Sequence, residues 1–137
     1  MKTPIDNAKA LLQKAANDLI AAQATMATGQ ALDTVCFHAQ QAVEKSLKAI
    51  LALHDVEYPR RHDLAELIEL VKPRLAEIAL YENRINSLTP FAVEIRYDTA
   101  FDPTSEEANE AVNLAVEFHI FISKIVESSR PDIQRTT

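Results

Sequence analysis

The run from Cys36 to Leu51, CFHAQQAVEKSLKAIL, contains no glycine and no proline, and good helix formers dominate it. Cys36, Ala39, Val43, Leu47, Ile50 and Leu51 recur at helical spacing, so one stripe of this helix can face a core. Phe37, Glu44 and Leu51 flank that stripe. His38, Gln41, Lys45 and Lys48 form a second, polar line on the other side. An imidazole, an amide and two ammonium groups in a row suit phosphate and base contacts. The same row also reads as a solvated helix face, and the pattern alone leaves both readings open.

The rest of the chain supports a helical protein. Only one glycine occurs in 137 residues, and no stretch alternates apolar and polar residues for more than a few positions. The length predicts one domain, with residues 1–129 folded and residues 130–137 a loose tail. Thr3-Pro4-Ile5-Asp6 opens the first helix, predicted over 4–28, with Thr3 as cap and Pro4 at its first position. Ile5, Ala8, Leu12, Ala15, Leu19, Ala22 and Met26 give that helix one apolar face. Gly29 follows where a left-handed stop is expected. The second helix is predicted from near Asp33 to about His54, antiparallel to the first. Its Glu44–Lys48 pair reads as a surface pair adding at most about 0.5 kcal/mol.

Pro59 forces Tyr58 out of the helix, and Asp63 is placed to cap a third helix with Leu64, Leu67, Ile68 and Val71 inward. Leu75, Ile78, Tyr81, Ile85, Leu88, Ala92 and Ile95 predict a fourth helix. Thr89-Pro90 interrupts it, with Thr89 capping a last segment of about 90–97. Thr104-Ser105-Glu106-Glu107 is a capping box for a fifth helix that fades at Ser128-Ser129. The expectation is an all-α antiparallel bundle of about five helices, the fourth interrupted at Thr89-Pro90.

The formal charge of −6 disfavours nucleic-acid binding by the molecule as a whole, though a local basic patch remains compatible with it. The single cysteine, Cys36, excludes an internal disulfide and a cysteine zinc site, and its place on the apolar stripe makes it a small buried hydrophobe. The four histidines show no paired metal-ligand spacing, and a chain with one glycine has no glycine-rich phosphate loop. No metal, cofactor or nucleophilic triad is therefore expected. No apolar run approaches the roughly 20 residues of a membrane span, and the N-terminus lacks the apolar core of a signal peptide, so the cytoplasm is the expected compartment.

The segment Phe37-His38-Ala39-Gln40-Gln41-Ala42-Val43-Glu44-Lys45-Ser46-Leu47-Lys48-Ala49 resembles the central helix of HEPN domains, small helical domains associated with nucleotide binding. Arg61-His62-Asp63-Leu64 resembles the family's turn into its third helix, and Arg96-Tyr97 the Arg-Tyr pair near the end of its fourth. The resemblance implies a free-standing module that works beside a minimal nucleotidyltransferase in a toxin–antitoxin-like pair, binding a nucleotide, RNA or that partner. The residues it marks for nucleotide binding are His38, Gln41, Lys45, Lys48, Arg61, Arg96 and Tyr97. A homodimer is expected as well, with Phe37, Phe91 and Phe101 as candidate interface residues if they are not core. Many HEPN domains are metal-independent RNases that carry a His after four to six residues beyond an Arg. The positions that follow Arg96 at that spacing are Phe101, Asp102 and Pro103, so no catalytic residue is assigned. An RNase with a degenerate motif, using His38 or His62 as base beside Arg96, is the alternative reading.

Overall fold

The structure is a computed structural model, and it describes residues 2–60, 63–92 and 102–129. Five α-helices are present among them: α1 (Pro4–Met26), α2 (Leu32–Leu53), α3 (Leu64–Val71), α4 (Glu82–Asn86) and α5 (Ser105–Ser128). The stretch between α3 and α5 also holds two 3₁₀ turns, Ala76–Leu80 and Thr89–Phe91. No strand occurs among the described residues, and the all-α expectation holds.

The helix ends are set by the residues that the sequence marks. Thr3 and Asp6 satisfy each other's backbone N–H groups in a capping box at α1, and Thr104 and Glu107 do the same at α5. Asp63 accepts from the Glu66 N–H at the start of α3. The α1–α2 turn is less relaxed. Gly29 takes a φ of +70° at no steric cost, but Ala31, two residues on, sits at φ 53° with no glycine to relieve it.

The α2 helix is the centre of the bundle. It packs most extensively on α1, then on α5, then on α3 and the Thr89–Phe91 turn. Every residue from Ala39 to Glu44 is buried, which is more than a full helical turn, so α2 is enclosed on all sides there. Alanines permit the close approach: Ala8, Ala15 and Ala22 of α1 and Ala39, Ala42 and Ala49 of α2 are fully buried. Cys36 is also fully buried. Desolvation, then the nearby Glu107 and Asp33 carboxylates, push its thiol up to about 12, so it stays protonated and packs as a small apolar group.

The stretch from Leu75 to Phe91 departs from the single interrupted helix that its apolar pattern suggests. The interruption at Thr89-Pro90 is there, but the chain also breaks earlier, and Thr89 begins the 3₁₀ turn rather than capping a helix. Spacing explains this. Leu75, Ile78 and Tyr81 are three apart, which a 3₁₀ turn aligns on one edge. The step of four from Tyr81 to Ile85 falls in α4, and the residues that pack inward after it, Leu88 and then Phe91 in place of the expected Ala92, are again three apart. Side chains anchor this irregular stretch to the regular helices. Tyr81 packs on Phe118 and Phe121 with ring centroids 5.2 and 5.3 Å away. Lys72, after α3, bridges Glu69 and Glu82 at 2.7 and 3.1 Å. The expected continuation over 93–97 and the tail over 130–137 lie outside the described residues.

Two substitutions in the α1–α2 turn test its backbone with opposite signs. A Cβ added at Gly29 meets no atom within 4 Å, so Gly29→Ala reports the left-handed conformation alone. It should cost about 1 kcal/mol, the steric strain outweighing the entropy gained in the unfolded chain. Ala31→Gly should stabilise by roughly 0.5 kcal/mol for the converse reason. Urea midpoints at constant slope check both.

Candidate functional site

The polar line of α2 divides into two clusters, because α1 covers one side of it. Asp18 projects from α1 between two α2 residues that lie two turns apart. Its Oδ1 meets His38 Nδ1 at 3.0 Å, and its Oδ2 accepts from the Lys45 ammonium. Both partners remain partly open to water, His38 at 23% and Lys45 at 27% side-chain exposure. With Nδ1 as donor to the carboxylate, the neutral imidazole leaves Nε2 as its acceptor. No described residue bonds Nε2.

The second cluster runs along α2 itself. Gln41 Nε2 donates to Gln40 Oε1 at 2.7 Å, Gln40 Nε2 donates to Glu44 Oε1 at 3.2 Å, and Lys48 Nζ donates to Glu44 Oε2 at 2.9 Å. Gln40 is completely buried, and only 1% of Glu44 is exposed. The Lys48 ammonium also lies 5.5 Å from the centre of the Tyr58 ring. Glu44–Lys48 is therefore a buried ion pair and not the surface pair that its spacing suggests. Gln40 and Lys48 both donate to its carboxylate, where a lone charge would be costly.

The polar line is thus not a solvated face. Of the residues marked by resemblance, His38 and Lys45 meet at Asp18, and Gln41 and Lys48 meet through Gln40 and Glu44. Arg61, Arg96 and Tyr97, together with His62 and Phe101, lie outside the described residues. Phe37 and Phe91 are each half-buried, and Phe37 meets the His38 ring edge-on at 5.3 Å.

Asp18 and Gln40 were not singled out in the sequence, and both left a signal. Asp18 stands three residues after Ala15 and four before Ala22, on the edge of the stripe that α1 buries. Gln40, Glu44 and Lys48 are spaced by four, a ladder on one helix edge.

A separate cleft of about 420 Å³ opens between the α4 region and the first half of α5, with Leu88, Ala111 and Leu114 among its apolar lining and Glu107 and Glu110 on the α5 wall. Arg84 borders it and is bonded to Glu117 at 2.9 Å. Among the described residues there is no group of three or more His, Cys, Asp or Glu side chains arranged to hold a metal ion. No helix among them is long and apolar enough to cross a membrane.

The HEPN domain family model matches residues 8–125, nearly the whole described bundle. The chain belongs to the HEPN family. Its fold agrees with the crystal structure of an archaeal HEPN homologue at a TM-score of 0.66. The two chains are 20% identical, and the match covers 92% of this chain and 99% of the archaeal one. At that identity the likeness speaks for the HEPN fold alone. Comparison with curated proteins gave no match. The segment by which the HEPN resemblance was read is the helix that this fold buries most completely.

Asp18→Asn keeps the shape of the side chain and removes the charge that holds His38 and Lys45. It should lower stability by about 1–2 kcal/mol, since the pair is largely but not fully desolvated. Adding Lys45→Met should recover part of the loss, because Lys45 no longer sits half-buried without its partner. A denaturation midpoint for Asp18→Asn equal to the native one would mean that this carboxylate is solvated and holds nothing.

Proposed function

We propose that this HEPN domain is a non-catalytic binding module that docks onto a protein partner, a minimal nucleotidyltransferase in a toxin–antitoxin-like pair. One observation carries this reading. Each ammonium of the α2 polar line is already engaged by a carboxylate of the same chain, Lys45 by Asp18 and Lys48 by Glu44. A nucleotide phosphate approaching either lysine must displace an internal ion pair, and for Lys48 a buried one. The family-marking run on α2 supports a rigid platform rather than an open phosphate site. The lack of a His separated from Arg96 by four to six residues supports the non-catalytic part. The partner's identity rests on the resemblance of the motifs at Phe37–Ala49, Arg61–Leu64 and Arg96–Tyr97.

The untagged nucleotidyltransferase of the same gene neighbourhood, co-expressed with the tagged chain, should co-purify in a fixed ratio. In thermal-shift titrations, ATP, GTP and their monophosphates should each raise the midpoint of the lone chain by less than a degree. A ligand at 100 times its dissociation constant would add about 2.7 kcal/mol, or several degrees for a domain of this size. A selective shift lost in Lys45→Ala would replace partner docking with nucleotide binding. A monomer with no partner and no ligand would overturn the module itself.

A second reading, a metal-independent RNase with a degenerate motif, is favoured by one feature. Asp18 orients His38 through Nδ1 and leaves Nε2 free to accept a proton, which is how a general base is held. Its expected signature is cleavage of total RNA in the presence of chelator, abolished in His38→Ala and weakened in Asp18→Asn. Equal cleavage by native chain and His38→Ala would trace the activity to a contaminant.

A further inference from the structure

The cleft between the α4 region and α5 is made of the charges opposite to those a nucleotide needs. Its apolar lining includes Leu88, Ala111 and Leu114, all nearly buried. Its α5 wall carries Glu107 and Glu110, one turn apart and both exposed. Glu107 spends one oxygen on the Thr104 N–H as part of the helix cap, which leaves its negative charge in place. Glu110 has no hydrogen-bond or ion-pair partner among the described residues. Among the described residues the cation at the border is Arg84, which is bonded to Glu117, two turns beyond Glu110 on α5. Among the described residues the cleft therefore presents the negative charge of Glu110 and Glu107 above an apolar floor, within a molecule of formal charge −6.

We propose that this cleft is the docking site for a basic side chain, an arginine or lysine carried on an apolar segment of the protein partner. This rests on the partner-binding reading and names the surface that serves it. Charge complementarity selects the occupant. Anionic ligands are repelled by the two carboxylates, and a purely apolar segment would strip water from Glu110 without replacing its hydrogen bonds. A guanidinium or ammonium on an aliphatic stem satisfies both surfaces, its stem on the floor and its head at the carboxylates. The volume of about 420 Å³ accommodates one such side chain and its neighbours.

Two measurements separate this proposal from the reading beneath it. The first uses the co-expressed nucleotidyltransferase and isothermal calorimetry at moderate salt. Glu110→Lys should weaken the complex by roughly tenfold or more. Glu127→Lys, the same charge change on the exposed far end of α5, should leave it unchanged, with native thermal midpoints for both variants. If the native chain binds and Glu110→Lys binds equally well, the cleft assignment falls while partner docking stands. If the native chain binds no nucleotidyltransferase, partner docking falls and the proposal falls with it.

The second measurement needs no partner. In an amide NMR titration, N-acetyl-arginine amide at millimolar concentration should shift Leu88, Ala111 and Leu114. The uncharged isostere N-acetyl-citrulline amide should not, and Glu110→Lys should abolish the response. Equal shifts from arginine and citrulline would overturn the charge argument, as would shifts confined to other faces.

Discussion

A helix enclosed on every side cannot carry an unpaired charge, and that constraint shapes this protein. The α2 helix places Gln40, Gln41 and Glu44 within its buried turn, and two lysines at the margin. Burying a carboxylate without partners would cost several kcal/mol, of the order of the whole net stability of such a domain. Gln40 and Lys48 bond both oxygens of Glu44 and so help to make its burial bearable. Lys45 and His38 are bearable because α1 brings Asp18 to them. The register of α1 on α2 is thereby fixed twice, by the alanine stripes that allow close approach and by a carboxylate that must meet two partners. Apolar packing alone tolerates some sliding of one smooth helix on another. A bridging carboxylate does not.

The regular part of the fold was legible because its signals are local. Capping boxes at Thr3 and Thr104, the cap at Asp63 and the left-handed Gly29 each depend on residues within three positions, and each is found where the sequence puts it. The stretch from Leu75 to Phe91 was harder. A step of three belongs to an α-helix and to a 3₁₀ turn alike, so apolar periodicity read as one helix hides a run of threes. What chooses between them is packing, here the Tyr81 ring on Phe118 and Phe121, which no local pattern contains.

The polar line was legible as residues and not as an arrangement. His38, Gln41, Lys45 and Lys48 were identified as one line from helix geometry, and geometry alone cannot say which neighbour each meets. His38 and Lys45 turn to a carboxylate on another helix, whereas Gln41 and Lys48 turn to groups on their own. A contact between residues 18 and 45 has no local signature in a single sequence. The Glu44–Lys48 pair illustrates the same limit from the other side. Its spacing is that of a weak surface pair, and only tertiary burial turns it into a structural one.

This internal neutrality bears on where function can reside. Lys45, Lys48, Lys72 and Arg84 are each held by a carboxylate of the chain, and the chain has twenty acidic residues against fourteen basic ones. Pairing consumes cations and anions one for one, or two acids for one base as at Lys72, and leaves the chain with a formal charge of −6. A family motif rich in lysine thus sits within a protein of net negative charge. Distinctive residues and reactive residues need not coincide. In this chain the distinctive residues of α2 build internal structure, pairing with Asp18 and with one another rather than standing open to solvent.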